Sequence, residues 1–204
     1  MSDRRKQRLA AVSAKLASEK IDAVLLTSLP NIRYLTGFSG TSALALVTES
    51  DIRLITDFRY ETQVADEVGD AAKVRIEPVS LWVGLWDILQ RSHSIEVIGF
   101  ESAHLFHRDF QRLLADGSRW QWRPQLNMVE SLRESKDDEE VALITEAARI
   151  ATDALSQIIP EMNAGRTELE IAGFLEKALR DEGSEEAPFA PIVAAARFTS
   201  DRWG

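Results

Sequence analysis

The chain has 204 residues, 45% of them hydrophobic and 28% charged, which is the composition of a soluble globular protein with room for one large domain or one domain plus part of another. Lys and Arg number 24 against 33 Asp and Glu, and the resulting formal charge of −9 disfavours nucleic-acid and membrane-surface partners. The absence of cysteine excludes disulfides, thiolate nucleophiles and cysteine-held zinc or iron–sulfur centres.

From the N-terminus, Arg4-Arg5-Lys6 with Arg8 reads as a solvated helix face. Leu9, Val12 and Leu16 mark the apolar side of that helix, which runs to about Glu19. Ala23-Val24-Leu25-Leu26 reads as a buried strand, and Ser28-Leu29-Pro30-Asn31 as the break that ends it. After a turn at Gly37–Gly40 come strands from Ala43 to Val47 and from Ile52 to Ile55, joined by a hairpin at Glu49-Ser50-Asp51. A helix around Phe58–Glu67, a strand at Val74–Ile76, a helix at Leu81–Gln90 and a strand at Ile95–Phe100 follow. A helix at His104–Ala115 and an edge strand at Trp120-Gln121-Trp122 complete a mixed sheet with helices on its faces, an α/β domain of about 130 residues. No apolar run approaches the roughly 20 residues of a membrane span. The polar start lacks the apolar stretch of a secretory signal, so a cytoplasmic location is expected.

Near Glu130 the pattern becomes helical. Ser135 and Asp138 suggest a helix start, and Val141, Ile144, Ala148, Ala151, Leu155 and Ile158 recur at helical spacing up to Pro160. Thr167 and Glu170 form a capping box for a second helix that Gly183 closes, and Ile192-Val193-Ala194-Ala195 suggest a new strand. Two helices and one strand do not easily close a core, so this second domain is expected to be unfinished.

Few residues point to chemistry. His104 and His107 are spaced like helix-borne metal ligands, but no carboxylate–histidine partner completes a set, so surface or capping roles are expected. The acids Asp137-Asp138-Glu139-Glu140 suit a helix N-terminus better than a cation site. Trp82 and Trp86 are helix neighbours, suited to core or subunit-interface packing. No P-loop, Gly-x-Gly-x-x-Gly, His-Glu-x-x-His or Gly-x-Ser-x-Gly motif occurs.

The stretch Asn31-Ile32-Arg33-Tyr34-Leu35-Thr36-Gly37-Phe38-Ser39-Gly40 resembles a signature of the aminopeptidase P/prolidase/creatinase family. So does Leu54-Ile55-Thr56-Asp57-Phe58-Arg59-Tyr60, with Gln63 following. Gly99-Phe100-Glu101 is similar to a tripeptide of that family, and Leu132-Arg133-Glu134-Ser135-Lys136, with Glu139 or Glu140, resembles its hinge into the catalytic domain. The resemblance implies a creatinase-like N-terminal domain with a ribonuclease-H-like mixed sheet over residues 1–131. An incomplete pita-bread α+β domain over 132–204 would follow.

The implied activity is that of a proline-specific metalloexopeptidase, an Xaa-Pro aminopeptidase or dipeptidase acting on short proline-containing peptides. Two divalent metals (manganese, cobalt or zinc) would activate a bridging hydroxide and polarise the carbonyl; creatinase relatives instead cleave a C–N bond without metal. The family's metal ligands, two aspartates, a histidine and two glutamates, have no matching positions here. The chain itself is therefore expected to hold no metal or catalytic residue, to be truncated and to be inactive alone. The resemblance also implies a homodimer or higher oligomer through the N-terminal domain, with Tyr34, Phe38 and Arg59 at a substrate-rim or subunit-interface loop. The alternative is a non-catalytic oligomerisation or regulatory module that pairs with a full-length relative.

Overall fold

The computed structural model describes residues 3–185 and 189–194, which cluster into two compact units, 1–135 and 136–204. In the first unit the order is α1 (Asp3–Glu19), β1 (Ala23–Leu26), α2 (Leu29–Thr36), β2 (Ala43–Thr48), β3 (Ile52–Thr56), α3 (Glu61–Val68) and β4 (Lys73–Ile76). Then follow α4 (Leu81–Gln90), β5 (Val97–Glu101), α5 (His107–Asp116), β6 (Gln121–Gln125) and the short α6 (Glu130–Arg133). The strands form one mixed sheet in the order β4-β3-β2-β1-β5-β6. Central β1 runs antiparallel to β2, with Val24 opposite Val47, and parallel to β5, with Val24 opposite Gly99.

β1 is buried throughout because both sheet faces are covered, which is why it reads as an unbroken apolar run. Alternate side chains enter different layers. Val24 and Leu26 pack with Val12 and Leu16 of α1, Ile32 and Leu35 of α2, and Val64 and Val68 of α3. Ala23 and Leu25 pack with Leu85 and Leu89 of α4 and Leu113 of α5. The second layer also holds three tryptophans around Trp86, whose ring stacks on Trp120 at 6.1 Å and meets Trp122 edge-on at 6.2 Å, with Trp82 6.0 Å away.

β1 ends at Leu26, as the break at Ser28–Asn31 implies, but that segment also opens a helix: Pro30 sits in the first turn of α2, where a missing amide costs no intrahelical hydrogen bond. Gly37 closes that helix at φ +85°, its amide donating to the Arg33 carbonyl at 2.7 Å. The basic run is not simply solvated. Arg8 donates to the Tyr34 carbonyl at 2.7 Å, and Arg5 donates to the Glu67 and Val68 carbonyls at 3.3 and 3.2 Å, so α1 places cations on the C-terminal ends of α2 and α3. Residues 192–194 carry no strand, and Ala195 lies outside the described residues.

The second unit contains α7 (Asp138–Ile158) and α8 (Glu168–Asp181). Asp137, and not Ser135, caps α7 in a box with Glu140; Thr167 and Glu170 form the corresponding box on α8. A small cluster of Ala154, Ile158, Ile171 and Ala178, with Phe174, Leu175 and Val193 against it, joins the two helices. The first half of α7 leaves Val141, Leu143 and Ile144 exposed. Among the described residues no helix is long and apolar enough to cross a membrane.

A methyl group added to Gly40 would lie 2.3 Å from Phe38 Cζ and 2.8 Å from Tyr60 Cδ1. Gly40→Ala should therefore destabilise the first unit by about 1–3 kcal/mol, read as a lower urea midpoint at unchanged slope. Asp57 caps the turn at Phe58–Tyr60 and grips Arg59, whose hydrogen bonds hold its carboxyl near about 2 instead of 3.8. Its stabilising contribution is complete above pH 3.8 and is lost as pH falls through about 2. A carboxyl NMR titration should show Arg59→Ala raising it, while the residue-59 amide and Ser42 keep it below 3.8. In hydrogen exchange of the isolated chain, α7 amides around Leu143 should exchange ahead of those in β1, because their apolar side chains lack cover.

Candidate functional site

Residues 36–42 and 57–67 meet at one end of the sheet. Phe38 is core, 1% exposed, and its ring meets Tyr60 edge-on at 5.5 Å. The Arg59 guanidinium lies 5.3 Å from the centre of the same Tyr60 ring, and its Nε and Nη2 each donate to Asp57 at 2.8 Å. The Tyr60 hydroxyl is 2.7 Å from Thr41 Oγ1, a contact that lowers its titration. Ser39 donates its main-chain amide and hydroxyl to Glu67 at 2.7 and 2.6 Å, and Gln63 braces both. Burial pushes the Glu67 carboxyl up, but the hydrogen bonds from Ser39 and Gln63 outweigh it and lower it. On the surface this corner presents Arg59 and Phe58, the latter 66% exposed.

The structure thus brings Phe38 and Arg59 together through Tyr60. Tyr34 belongs to a different corner, where its hydroxyl donates to the Leu132 carbonyl at 3.2 Å and Arg8 stacks 3.9 Å from its ring centre.

Near Tyr34, at the start of α2, lies a polar cluster that the sequence did not single out. Glu101 ends β5 at only 4% exposure and accepts from the amides of Thr27 and Ser28 at 2.6 and 2.7 Å and from Asn31 Nδ2 at 2.6 Å. Asn31, 0% exposed, also donates to Glu130 at 2.7 Å and accepts from Arg133 Nη1 at 2.8 Å. His104 Nε2 lies 2.9 Å from the same Glu130 oxygen. Burial would raise the Glu130 carboxyl, but hydrogen bonds led by Asn31 hold it below the usual range. The fragments that carry the family resemblance, around Asn31, Glu101 and Arg133, therefore meet in space although far apart in sequence.

His107 does not join His104; its ring nitrogen is 3.5 Å from Gln111 one turn along α5. Among the described residues no three His, Asp or Glu side chains are grouped so as to hold a metal ion, so these residues do not fit a dinuclear centre. A cleft of about 690 Å³ at the opposite end of β1, lined by Asp22, Asp51, Arg53 and His93 among others, contains none of the expected rim residues. Its Asp51 pairs with Arg53 within the cleft and with Lys73 beyond it, and its Asp22 accepts from the Glu96 and Val97 amides.

Comparison with known proteins supplies the family. Residues 8–135 match the creatinase/prolidase N-terminal domain, and residues 142–201 match metallopeptidase family M24. An uncharacterized peptidase of Bacillus subtilis is 33% identical over 186 residues, covering 88% of this chain and 50% of the relative. The Xaa-Pro dipeptidase of Bacillus anthracis superimposes with a TM-score of 0.81 at 25% identity, over 89% of this chain and 50% of that one. The N-terminal domain of the cytoplasmic peptidase PepQ of Mycobacterium tuberculosis gives a TM-score of 0.54 at 31% identity, over 62% of this chain and 98% of that domain. The chain spans about half the length of the curated relatives it matches. It belongs to the creatinase/prolidase family, residues 8–135 carrying that family's N-terminal domain and residues 142–201 matching metallopeptidase family M24.

Proposed function

We propose that this chain is the N-terminal part of a cytoplasmic Xaa-Pro aminopeptidase or dipeptidase, whose whole form hydrolyses peptide bonds next to proline at a dinuclear metal centre. The carrying observation is the succession, in one chain, of a creatinase/prolidase N-terminal domain and sequence of metallopeptidase family M24. Relatives described as Xaa-Pro dipeptidases in Pyrococcus horikoshii and Bacillus anthracis support the substrate class, and the M24 match supports divalent metals. In this reading residues 1–131 form the assembly domain and 132–204 begin the catalytic one. In this reading the metal ligands are supplied by the remainder of the catalytic domain, and the 204-residue chain by itself is not the catalyst.

The same reading assigns parts to the three signature residues. Arg59 faces solvent at the rim, Phe38 supports it from beneath Tyr60, and Tyr34 ties α2 to the segment leading onward. Subunits pair through the first unit.

The test has two arms. The 204-residue chain, assayed with Mn²⁺ against Ala-Pro and Ala-Pro-Ala, should give no hydrolysis above the metal-only blank; turnover would place the catalytic groups within it. A chimera of residues 1–193 with the remaining half of the Pyrococcus horikoshii dipeptidase should cleave Ala-Pro and leave Ala-Gly intact. A folded, Mn²⁺-loaded chimera without that preference would sink the reading.

A further inference from the structure

The four-residue helix α6 is held more firmly than a connecting segment needs. Donors from α1, from α2 and from the turn between β5 and α5 converge on it. Asn31 of α2 donates to Glu130, Tyr34 of α2 donates to the Leu132 carbonyl, His104 bonds Glu130, and Lys15 of α1 reaches Ser131. Met128 and Val129 just before it are buried in the core layer, and Leu132 packs on that layer. Asn31 is the common member: its amide nitrogen bridges Glu101 and Glu130, and its oxygen accepts from Arg133. Both carboxylates and the guanidinium thus engage one fully buried amide, an arrangement costly to leave half-satisfied.

We propose that Asn31 is a positioning residue that straps α6 to α2 and the end of β5, fixing the point from which the chain leaves the first unit. α2 is the rigid carrier of this strap. The same helix bears Tyr34 on its second turn and ends at Gly37 and Phe38 beside the rim, so one short rod links the exit point to the loop around Tyr60. This holds whether or not the peptidase reading is right.

Hydrogen exchange on the full 204-residue chain tests it through the amides of Leu132, Arg133 and Glu134, which donate to Val129 and Glu130 carbonyls. Asn31→Leu removes all three side-chain bonds at similar volume; Arg133→Met removes one and leaves Asn31 with both carboxylates. Asn31→Leu should speed exchange at 132–134 by about tenfold or more, the scale of a lost buried hydrogen bond to a charged group. Arg133→Met should do so less, and neither variant should change β2 and β3. Unchanged rates at 132–134 in both variants would overturn the proposal. So would an equal acceleration of the sheet amides, which would make Asn31 a general stability residue. If Asn31→Leu fails to fold, Arg133→Met alone decides between these outcomes.

Discussion

The first unit depends on where one carboxylate ends up. Glu101 closes an otherwise apolar strand and is nearly out of contact with water, a position that costs several kcal/mol unless its oxygens are met by donors. The donors are the amides of Thr27 and Ser28, which directly follow β1, and the side chain of Asn31. That solution exists only if β1 and β5 lie side by side and parallel, with α2 starting where β1 stops. The pairing at the centre of the sheet, the start of α2 and the satisfaction of a buried charge are therefore one constraint.

Charge is used the same way elsewhere. α1 covers one sheet face with Val12 and Leu16, while its arginines reach over to the open carbonyl ends of α2 and α3. Its polar side orders two neighbouring helices as its apolar side fills the core. Beside Tyr60, Asp57 both caps a turn and fixes the Arg59 guanidinium. In each case a surface ion is tied to backbone geometry, where it counts for more than an isolated exposed pair would.

Much of this fold was legible in the sequence. β1, β2 and β3 stand out because strands covered on both faces are written almost wholly in apolar residues, and the Thr167–Glu170 box announces α8 by local chemistry alone. α2 was hidden because Pro30 reads as a breaker, although proline is at home in a helix's first turn. The cluster around Asn31 was hidden for a different reason. Its partners lie 70 and 99 residues away, and only the pairing of β1 with β5 brings them together. One signal was available: a glutamate ending a strand as apolar as Val97–Phe100 calls for a buried donor. Tyr34 and Phe38, neighbours in the signature, diverge because α2 ends at Thr36 and Gly37, at φ +85°, turns the chain before Phe38.

The sheet is bordered by two short parallel strands, β4 and β6, and each is unsuited to growth. Pro124 removes a main-chain donor from β6, and Lys73 sets a charge on β4. A sheet edged in this way is a poor template for another chain's backbone. Recognition on this unit then falls to side chains, open to change by single substitutions on helix and loop surfaces while the sheet beneath stays untouched.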